Sequence, residues 1–309
     1  MTGHLAGRNI AVTGAGNGIG RAVAMLCAAE GAQVVVADYG VALDGSDPSS
    51  EVADEVVAEI AETGGTALAV AGDVSDTNVG QRIVDTAVDA WGSIDGVACA
   101  AGILRERMLF NMTDDEFDDV VRVHLRGHFS VYRAASAVMR KQQGGGSLLG
   151  FTSGAFVAST AQANYSAAKG GIVSLTKSAA FALRRYGITA NCIAPAAMTR
   201  MSEKVPFQIE AGAPEHIAPL AVYLLSSSAQ DVTAQIYTCT GRRIAVWNQP
   251  AEVREMTASD GESFSVDEIV DRFTNDVGVE ELSLFADLER RMAEMAEKQA
   301  ATDVSSEPT

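Results

Sequence analysis

Val12-Thr13-Gly14-Ala15-Gly16-Asn17-Gly18-Ile19-Gly20-Arg21 joins a short β-rich run, residues 10–13, to an amphipathic segment that begins near position 18. Between strand and helix the backbone must turn sharply, which glycine does with no Cβ in the way. The turn also exposes the unpaired N–H groups and positive end of the helix to whatever approaches. A pyrophosphate suits that place, and a side chain at Gly14 or Gly18 would obstruct it. Glycines alone are a weak signal. Their position between a strand and a helix makes this stretch read as a dinucleotide-binding turn.

Outward from the turn, residues 8–240 repeat one rhythm of short apolar run and amphipathic segment, the pattern of a parallel sheet covered on both faces. Strands are predicted over 10–13, 33–37, 67–71, 96–100, 147–151, 189–193 and 235–239, each apolar enough for burial on both sides. Helices are predicted over 18–30, 51–63, 76–91, 114–143, 163–186 and 214–227, the fourth opened by Thr113-Asp114-Asp115-Glu116 and closed by Gly144-Gly145-Gly146. The fold class is therefore α/β, a doubly wound, parallel, seven-stranded sheet of the Rossmann type. After position 249 the rhythm stops, and 266–275 and 279–300 read as helices, the second with Leu282, Phe285, Leu288, Met292 and Met295 at helical intervals. This divides the chain into a dinucleotide-binding domain, 1–249, and an acidic helical extension, 250–309.

Composition narrows the function. The net charge is −17, of which −11 falls after position 249, so polyanions are disfavoured and neither nucleic acid nor an anionic membrane is an expected partner. No apolar run approaches the ~18 residues of a membrane span and the start lacks a hydrophobic signal core, so a cytoplasmic protein is expected. Cys27, Cys99, Cys192 and Cys239 lie apart in apolar stretches, which suits buried thiols rather than disulfides. Among His4, His124, His128 and His216 one pair is spaced i, i+4, but no carboxylate completes a metal motif, and no metal is expected.

Asp38 ends the second strand, 24 residues after Gly14. A carboxylate there accepts from both adenosine ribose hydroxyls and repels a 2′-phosphate, and neither position 17 nor position 39 supplies a compensating Arg or Lys, so NAD is favoured over NADP. Tyr165 and Lys169 lie four apart on a predicted helix and share a face. A free phenol titrates near ~10, too high for a base at neutral pH; a neighbouring ammonium and a positive nicotinamide ring would bring it toward ~7. Ser153, twelve residues upstream at the end of the fifth strand, can donate to the same substrate oxygen. Two hydrolase patterns fail. Ser166-Ala167-Ala168-Lys169 has no Lys-Thr-Gly or Ser-Asp-Asn after it, and in Gly150-Phe151-Thr152-Ser153-Gly154 the serine stands one place too late for a nucleophile elbow.

Together, Thr13-Gly14-x-x-x-Gly18-x-Gly20, Ser153 and Tyr165-x-x-x-Lys169 resemble the short-chain dehydrogenases/reductases over about residues 6–245. Gly102-Ile103-Leu104-Arg105-Glu106-Arg107, Val123-His124-Leu125-Arg126-Gly127-His128-Phe129, Gln162-Ala163-Asn164-Tyr165 and Ile193-Ala194-Pro195 are similar to the (3R)-hydroxyacyl-CoA dehydrogenase domain of peroxisomal multifunctional enzymes of type 2, 17β-hydroxysteroid dehydrogenases of type 4, and their bacterial relatives. The resemblance implies cofactor contacts from Gly14, Asn17, Gly18, Ile19, Gly20, Asp38, Asp73, Val74, Gly102, Tyr165, Lys169, Pro195, Met198 and Thr199. It implies a catalytic set of Ser153, Tyr165, Lys169 and His124. His124 stands where the family commonly has Asn, and two roles are open to it, anchoring a strand or relaying a proton. Cys99-Ala100-Ala101-Gly102 replaces the usual Asn-Asn-Ala-Gly. The spacing from Ser153 to Tyr165 is one residue short, which leaves Thr152 as a second hydroxyl.

The expected activity is hydride transfer between NAD and a secondary alcohol or ketone, first of all a 3-hydroxyacyl-CoA with a fatty or steroid side chain. Free hydroxysteroids and 3-oxoacyl chains on a carrier protein are the enzymatic alternatives, and an NAD-binding scaffold or sensor is the non-enzymatic one. Arg105, Arg107, Arg126 and Arg200 are candidates for CoA phosphates, with pairing to acidic helices as the alternative. The resemblance further implies a homodimer or homotetramer assembled through the helices at 114–143 and 163–186.

Overall fold

The computed structural model describes residues 3–42, 45–142, 144–197, 212–259 and 263–280. The chain divides into two compact units, Met1–Trp247 and Asn248–Thr309. The first opens with β1 (Asn9–Thr13), α1 (Gly18–Ala29), β2 (Gln33–Asp38), α2 (Glu51–Glu62), β3 (Thr66–Ala71), α3 (Thr77–Trp91) and β4 (Gly96–Cys99). It continues with α4 (Asp114–Val121), α5 (Gly127–Met139), β5 (Gly146–Phe151), α6 (Ala163–Leu183), β6 (Ile188–Ala196), α7 (Ala218–Leu225), β7 (Ile236–Thr240) and β8 (Arg243–Val246).

The strands form one sheet in the order β3-β2-β1-β4-β5-β6-β7-β8. β1 pairs with β2 on one side, Val12 opposite Val36, and with β4 on the other, Val12 opposite Ala98. The chain therefore leaves β3 at one edge and re-enters beside β1. That reversal of strand order opens a crevice beyond the carboxyl ends of β1 and β4.

Alternation along the central strands sorts side chains onto two faces. Ile10, Val12, Val34 and Val36 pack with Val23 and Cys27 of α1 and Leu224 and Leu225 of α7. Ala11, Val35 and Val97 face the other way, onto Ile83 and Val84 of α3 and Val131, Ala135 and Met139 of α5. All four cysteines are buried free thiols. Helix ends follow local chemistry: Asp76 accepts the Asn78 N–H at 2.8 Å before α3, and Gly92, at φ 85°, ends it. Thr113 and Glu116 form a reciprocal capping box at the start of α4.

Four local expectations are corrected. An eighth strand joins the sheet: a tight turn with Gly241 at φ 48° lets β8 pair antiparallel with β7, and its exposed Ile244 and Val246 carry too little pattern to mark it in the sequence. β3 is not buried on both sides, because it is the edge of the sheet and Leu68 is exposed. The helix predicted over 114–143 contains a π-helical turn, Arg122–Arg126, between α4 and α5 and ends at Met139. The segment 214–227 is a 3-10 turn, Pro214–His216, followed by the short α7, whose Pro219 lacks the N–H a longer helix would need there.

In the second unit, α8 (Val266–Asp276) is capped by Ser265, which accepts the Glu268 N–H at 3.1 Å. The second helix predicted there, 279–300, lies almost wholly outside the described residues. Among the described residues no helix is long and apolar enough to cross a membrane.

Candidate active site

β1 delivers the glycine turn to the crevice. Gly14 has φ 65°, and a Cβ on it would lie 2.6 Å from the Ala101 nitrogen, so the turn is pressed against the chain leaving β4. Gly18 has φ 52°, and a Cβ on Gly20 would run into the Gly14 carbonyl oxygen. Asn17 precedes α1 without capping it through its side chain. Two backbone amides tie the chain leaving β4 to the turn: Ala100 donates to the Thr13 carbonyl at 3.1 Å and Ala101 to the Thr13 hydroxyl at 3.4 Å.

Asp38 emerges from β2 facing this turn. Its carboxylate accepts the Gly16 N–H at 2.7 Å and the Gly40 N–H at 2.6 Å, one on each oxygen. Each oxygen keeps a second lone pair for another donor. Gly16 and Gly40 were not singled out in the sequence. Gly16 leaves no room for a Cβ beside Val52, and Gly40, at φ 67°, would meet Ser49.

Beyond β3, Asp73 accepts the Ser75 N–H at 2.9 Å and Arg122 Nη1 at 2.5 Å. Burial pushes its pKa up, but the Ser75 and Arg122 hydrogen bonds outweigh that and hold it below the usual carboxylate value. Arg126 donates to the Ser75 carbonyl at 3.0 Å, so the π-turn grips the Asp73-Val74-Ser75 corner twice. One cleft is lined by Gly14, Asn17, Gly18, Ile19, Gly20, Asp38, Asp73, Val74 and Gly102, with Ile103, Arg105 and Arg122 added by the tertiary structure. Pro195 lies near the carboxyl end of β6; Met198, Thr199 and Arg200 lie outside the described residues.

The second group of residues meets at the ends of β5 and α6. Lys169 is 5% exposed, and its ammonium donates to the Phe151 carbonyl at 2.6 Å and lies 5.2 Å from the centre of the Tyr165 ring. Ser153, just past β5, accepts the Ala155 N–H on Oγ at 3.2 Å, and its hydroxyl lies near enough to the Tyr165 phenol to draw the phenol pKa down. Thr152 is buried and its hydroxyl donates to the Lys169 carbonyl at 2.9 Å, so of the two hydroxyls only Ser153 is placed beside the phenol.

Burial sets the charges here. It pushes the Tyr165 phenol up to about 12, an effect the Ser153 hydroxyl only partly offsets, and brings Lys169 down to about 7. With the groups of this chain alone the phenol stays protonated at neutral pH while Lys169 is divided between its two forms near pH 7, and the acidified phenol is expected only with a positive nicotinamide ring beside the ammonium.

His124 sits in the π-turn, 1% exposed, with Nε2 2.8 Å from the Ile103 carbonyl oxygen and its ring edge-on to Tyr165 at 5.1 Å. Burial first, then the Lys169 charge, keeps it neutral. A proton on Nε2 suits the Ile103 carbonyl, and Nδ1 has no hydrogen-bond partner among the described residues. Of the arginines considered for CoA phosphates, Arg105 pairs with Asp119 at 3.6 Å, Arg107 with Glu116 at 2.8 Å, and Arg126 with the Ser75 carbonyl.

The short chain dehydrogenase family model matches residues 8–208. Hydroxyacyl-CoA dehydrogenase ChsB1 of Mycobacterium tuberculosis is 42% identical over 284 residues, covering 87% of this chain and 88% of the relative. Peroxisomal multifunctional enzyme type 2 of Mus musculus is 43% identical over 73% of this chain, which spans 30% of that longer protein. A short chain dehydrogenase from Mycobacterium avium superposes with a TM-score of 0.79 at 40% identity, covering 91% of this chain and 98% of the other. Another, from Mycobacterium paratuberculosis and bound to NAD, reaches 0.72 at 26% identity over 77% of this chain and 98% of its own. Members of the family work with NAD or NADP. With its family model, its relatives and its doubly wound sheet in agreement, the chain belongs to the short-chain dehydrogenases/reductases, enzymes that oxidise and reduce at CH–OH carbons.

Proposed function

We propose that the chain oxidises a 3-hydroxyacyl-CoA with NAD. The observation that carries the reading is that Tyr165, with Ser153 and Lys169 near its phenol, packs in one cluster with Ile103, a residue of the cleft that Gly14, Gly18, Gly20 and Asp38 line. The cleft fits the dinucleotide: without a Cβ at Gly14 and Gly20 the turn closes tightly against Ala101 and against itself, which brings the start of α1 to the cleft wall where a pyrophosphate would lie. Asp38, held by two amides, presents its remaining lone pairs to the ribose hydroxyls. Arg105 and Arg122 share the cleft and pair with Asp119 and Asp73, and a 2′-phosphate there would face the Asp38 carboxylate.

A nicotinamide dinucleotide held there by Gly14, Gly18, Gly20 and Asp38 would supply the hydride acceptor and a positive charge beside Tyr165. The chain's own residues handle the proton. Tyr165 Oη takes it from the substrate hydroxyl, Ser153 Oγ donates to the same oxygen and holds it in place, and the Lys169 ammonium, fixed by the Phe151 carbonyl, stabilises the phenolate. His124 holds the Ile103 backbone and packs on the Tyr165 ring, which supports an anchoring role. Gly102, Pro195, Met198 and Thr199 complete the proposed cofactor contacts.

The thioester rests on the name of ChsB1, matched over 88% of its length. Exposed apolar side chains on α5 and α6, Phe129 and above all Phe181 at 91% exposure, fit the homo-oligomer proposed for the chain. The test is a panel of NAD and NADP with straight-chain and steroidal 3-hydroxyacyl-CoAs, free hydroxysteroids and carrier-bound 3-oxoacyl chains, read by nicotinamide absorbance. NAD-linked turnover of a thioester is expected; turnover confined to free steroids or carrier-bound chains would overturn the substrate assignment.

A further inference from the structure

Asn164 stands next to Tyr165 and is completely buried. Its amide makes three contacts, all to backbone. Nδ2 donates to the Arg105 carbonyl at 2.9 Å and to the Glu116 carbonyl at 2.8 Å, and Oδ1 accepts the Tyr165 N–H at 2.7 Å. The orientation of the amide is settled by its partners, since both carbonyls can only accept and the Tyr165 N–H can only donate. Around this hub the chain leaving the cleft runs beside the start of α6, where Arg107 N–H donates to the Ala161 carbonyl at 2.8 Å and Gln162 Nε2 to Glu106 at 2.6 Å.

We propose that Asn164 is a positioning residue for Tyr165, bolting the first turn of α6 to the Arg105 segment and to α4 so that the phenol is held at a fixed distance from the dinucleotide cleft. The proposal deepens the oxidoreductase reading and rests on it. Helix α6 begins at Ala163, and Gln162 makes no side-chain cap. The first turn would be free to fray were the Tyr165 N–H not taken by the preceding side chain. Arg105 and its neighbour Ile103 line the cofactor cleft, while Glu116 belongs to the helix that leads into the π-turn carrying His124. One amide thus ties three segments that frame the reacting oxygen. No other residue type offers two donors and one acceptor in so small a volume: Asp keeps the acceptor but turns a carboxylate oxygen toward two carbonyls, and Ser has a single donor.

The test compares the wild type with Asn164→Asp and Asn164→Ser in the full chain. Three quantities are read: NAD affinity by calorimetry, kcat with whichever alcohol of the substrate panel the wild type oxidises, and the pH midpoint of the Tyr165 phenol in the NAD complex. The last is followed by ultraviolet absorbance as the difference from the matching Tyr165→Phe protein. The expected result is a kcat at least tenfold lower in both variants, NAD affinity within threefold, and a phenol midpoint displaced by more than half a pH unit. Folded variants with wild-type kcat and phenol midpoint would overturn the proposal. So would variants that unfold, or that lose NAD binding and turnover in parallel with thermal stability, since those outcomes assign Asn164 to stability alone. If the wild type turns over no thioester, the substrate reading fails by itself; if it oxidises no alcohol at all, the phenol midpoint still decides the role of Asn164.

Discussion

The Lys169 ammonium is held by the Phe151 carbonyl oxygen at 2.6 Å, a bond from the middle of the catalytic helix to the end of β5. It explains how a buried lysine with a pKa brought down to about 7 keeps a fixed place 5.2 Å from the Tyr165 ring centre. A charge pinned to the backbone is preorganised, so its effect on the phenol does not depend on a flexible four-carbon stem.

The phenol, pushed up to about 12 by burial, is protonated at neutral pH in the surroundings the chain itself provides. Alcohol oxidation needs the base form, so kcat/KM is expected to rise with pH to a plateau, with its midpoint between 7 and 12. Lys169→Met removes the cation that favours phenolate and is expected to move that midpoint upward and lower kcat at least a hundredfold. An unchanged pH profile in Lys169→Met would refute the electrostatic role.

The same variant is expected to be more heat-resistant than the wild type. Burial brings Lys169 down from 10.5, the value of a free lysine, to about 7, so the unfolded chain holds the proton more tightly and the penalty is fully present below 7. It fades between 7 and 10.5. Lys169→Met should therefore stabilise the fold most at pH 6, by on the order of a few kcal/mol with a matching rise in Tm, and hardly at all near pH 10.5. Calorimetric scans at several pH values check the sign.

Ser153 and Thr152 are expected to separate cleanly. Ser153→Ala removes a donor to the reacting oxygen and should lower kcat about a hundredfold with Tm little changed. Thr152→Val removes a buried bond to the Lys169 carbonyl and should cost about 1 kcal/mol of stability with kcat within a few-fold of wild type. Steady-state kinetics and chemical denaturation of the two proteins are the measurements.

Gly14→Ala combines a positive φ of 65° with a Cβ 2.6 Å from the Ala101 nitrogen, neither of which a side chain can relax. Loss of at least tenfold in NAD affinity, read by fluorescence of the reduced cofactor, is expected together with a lower Tm.

Asp38→Asn keeps acceptors for only part of its present partners, the Gly16 and Gly40 amides, and removes the charge facing a 2′-phosphate. The ratio of kcat/KM for NAD over NADP is expected to fall at least tenfold. A ratio unmoved by this substitution would take the selectivity away from Asp38.

Much of the protein is readable along the chain, because its signals are local. A glycine turn between strand and helix, short apolar runs in β1 and β2, a Thr113–Glu116 capping box and an i, i+4 pair at Tyr165 and Lys169 all span a few residues. Each carries its own steric or periodic reason. The edge position of β3, the exposed β8 and the π-turn at Arg122–Arg126 escape such reading. What makes them is the neighbour a segment lacks or the hydrogen bond it shifts, not its composition.

The same holds for the site. The candidates for the chemistry are legible in their spacing, and so are the sheet and its crevice. That Gly16 donates to Asp38, that Asn164 joins Arg105 to Glu116, and that Arg122 grips Asp73 came from segments brought together across tens of residues. The charge states of Tyr165 and Lys169 came from there as well, since the free energy of an ionised group depends on how deeply packing removes it from water, a quantity no local pattern encodes.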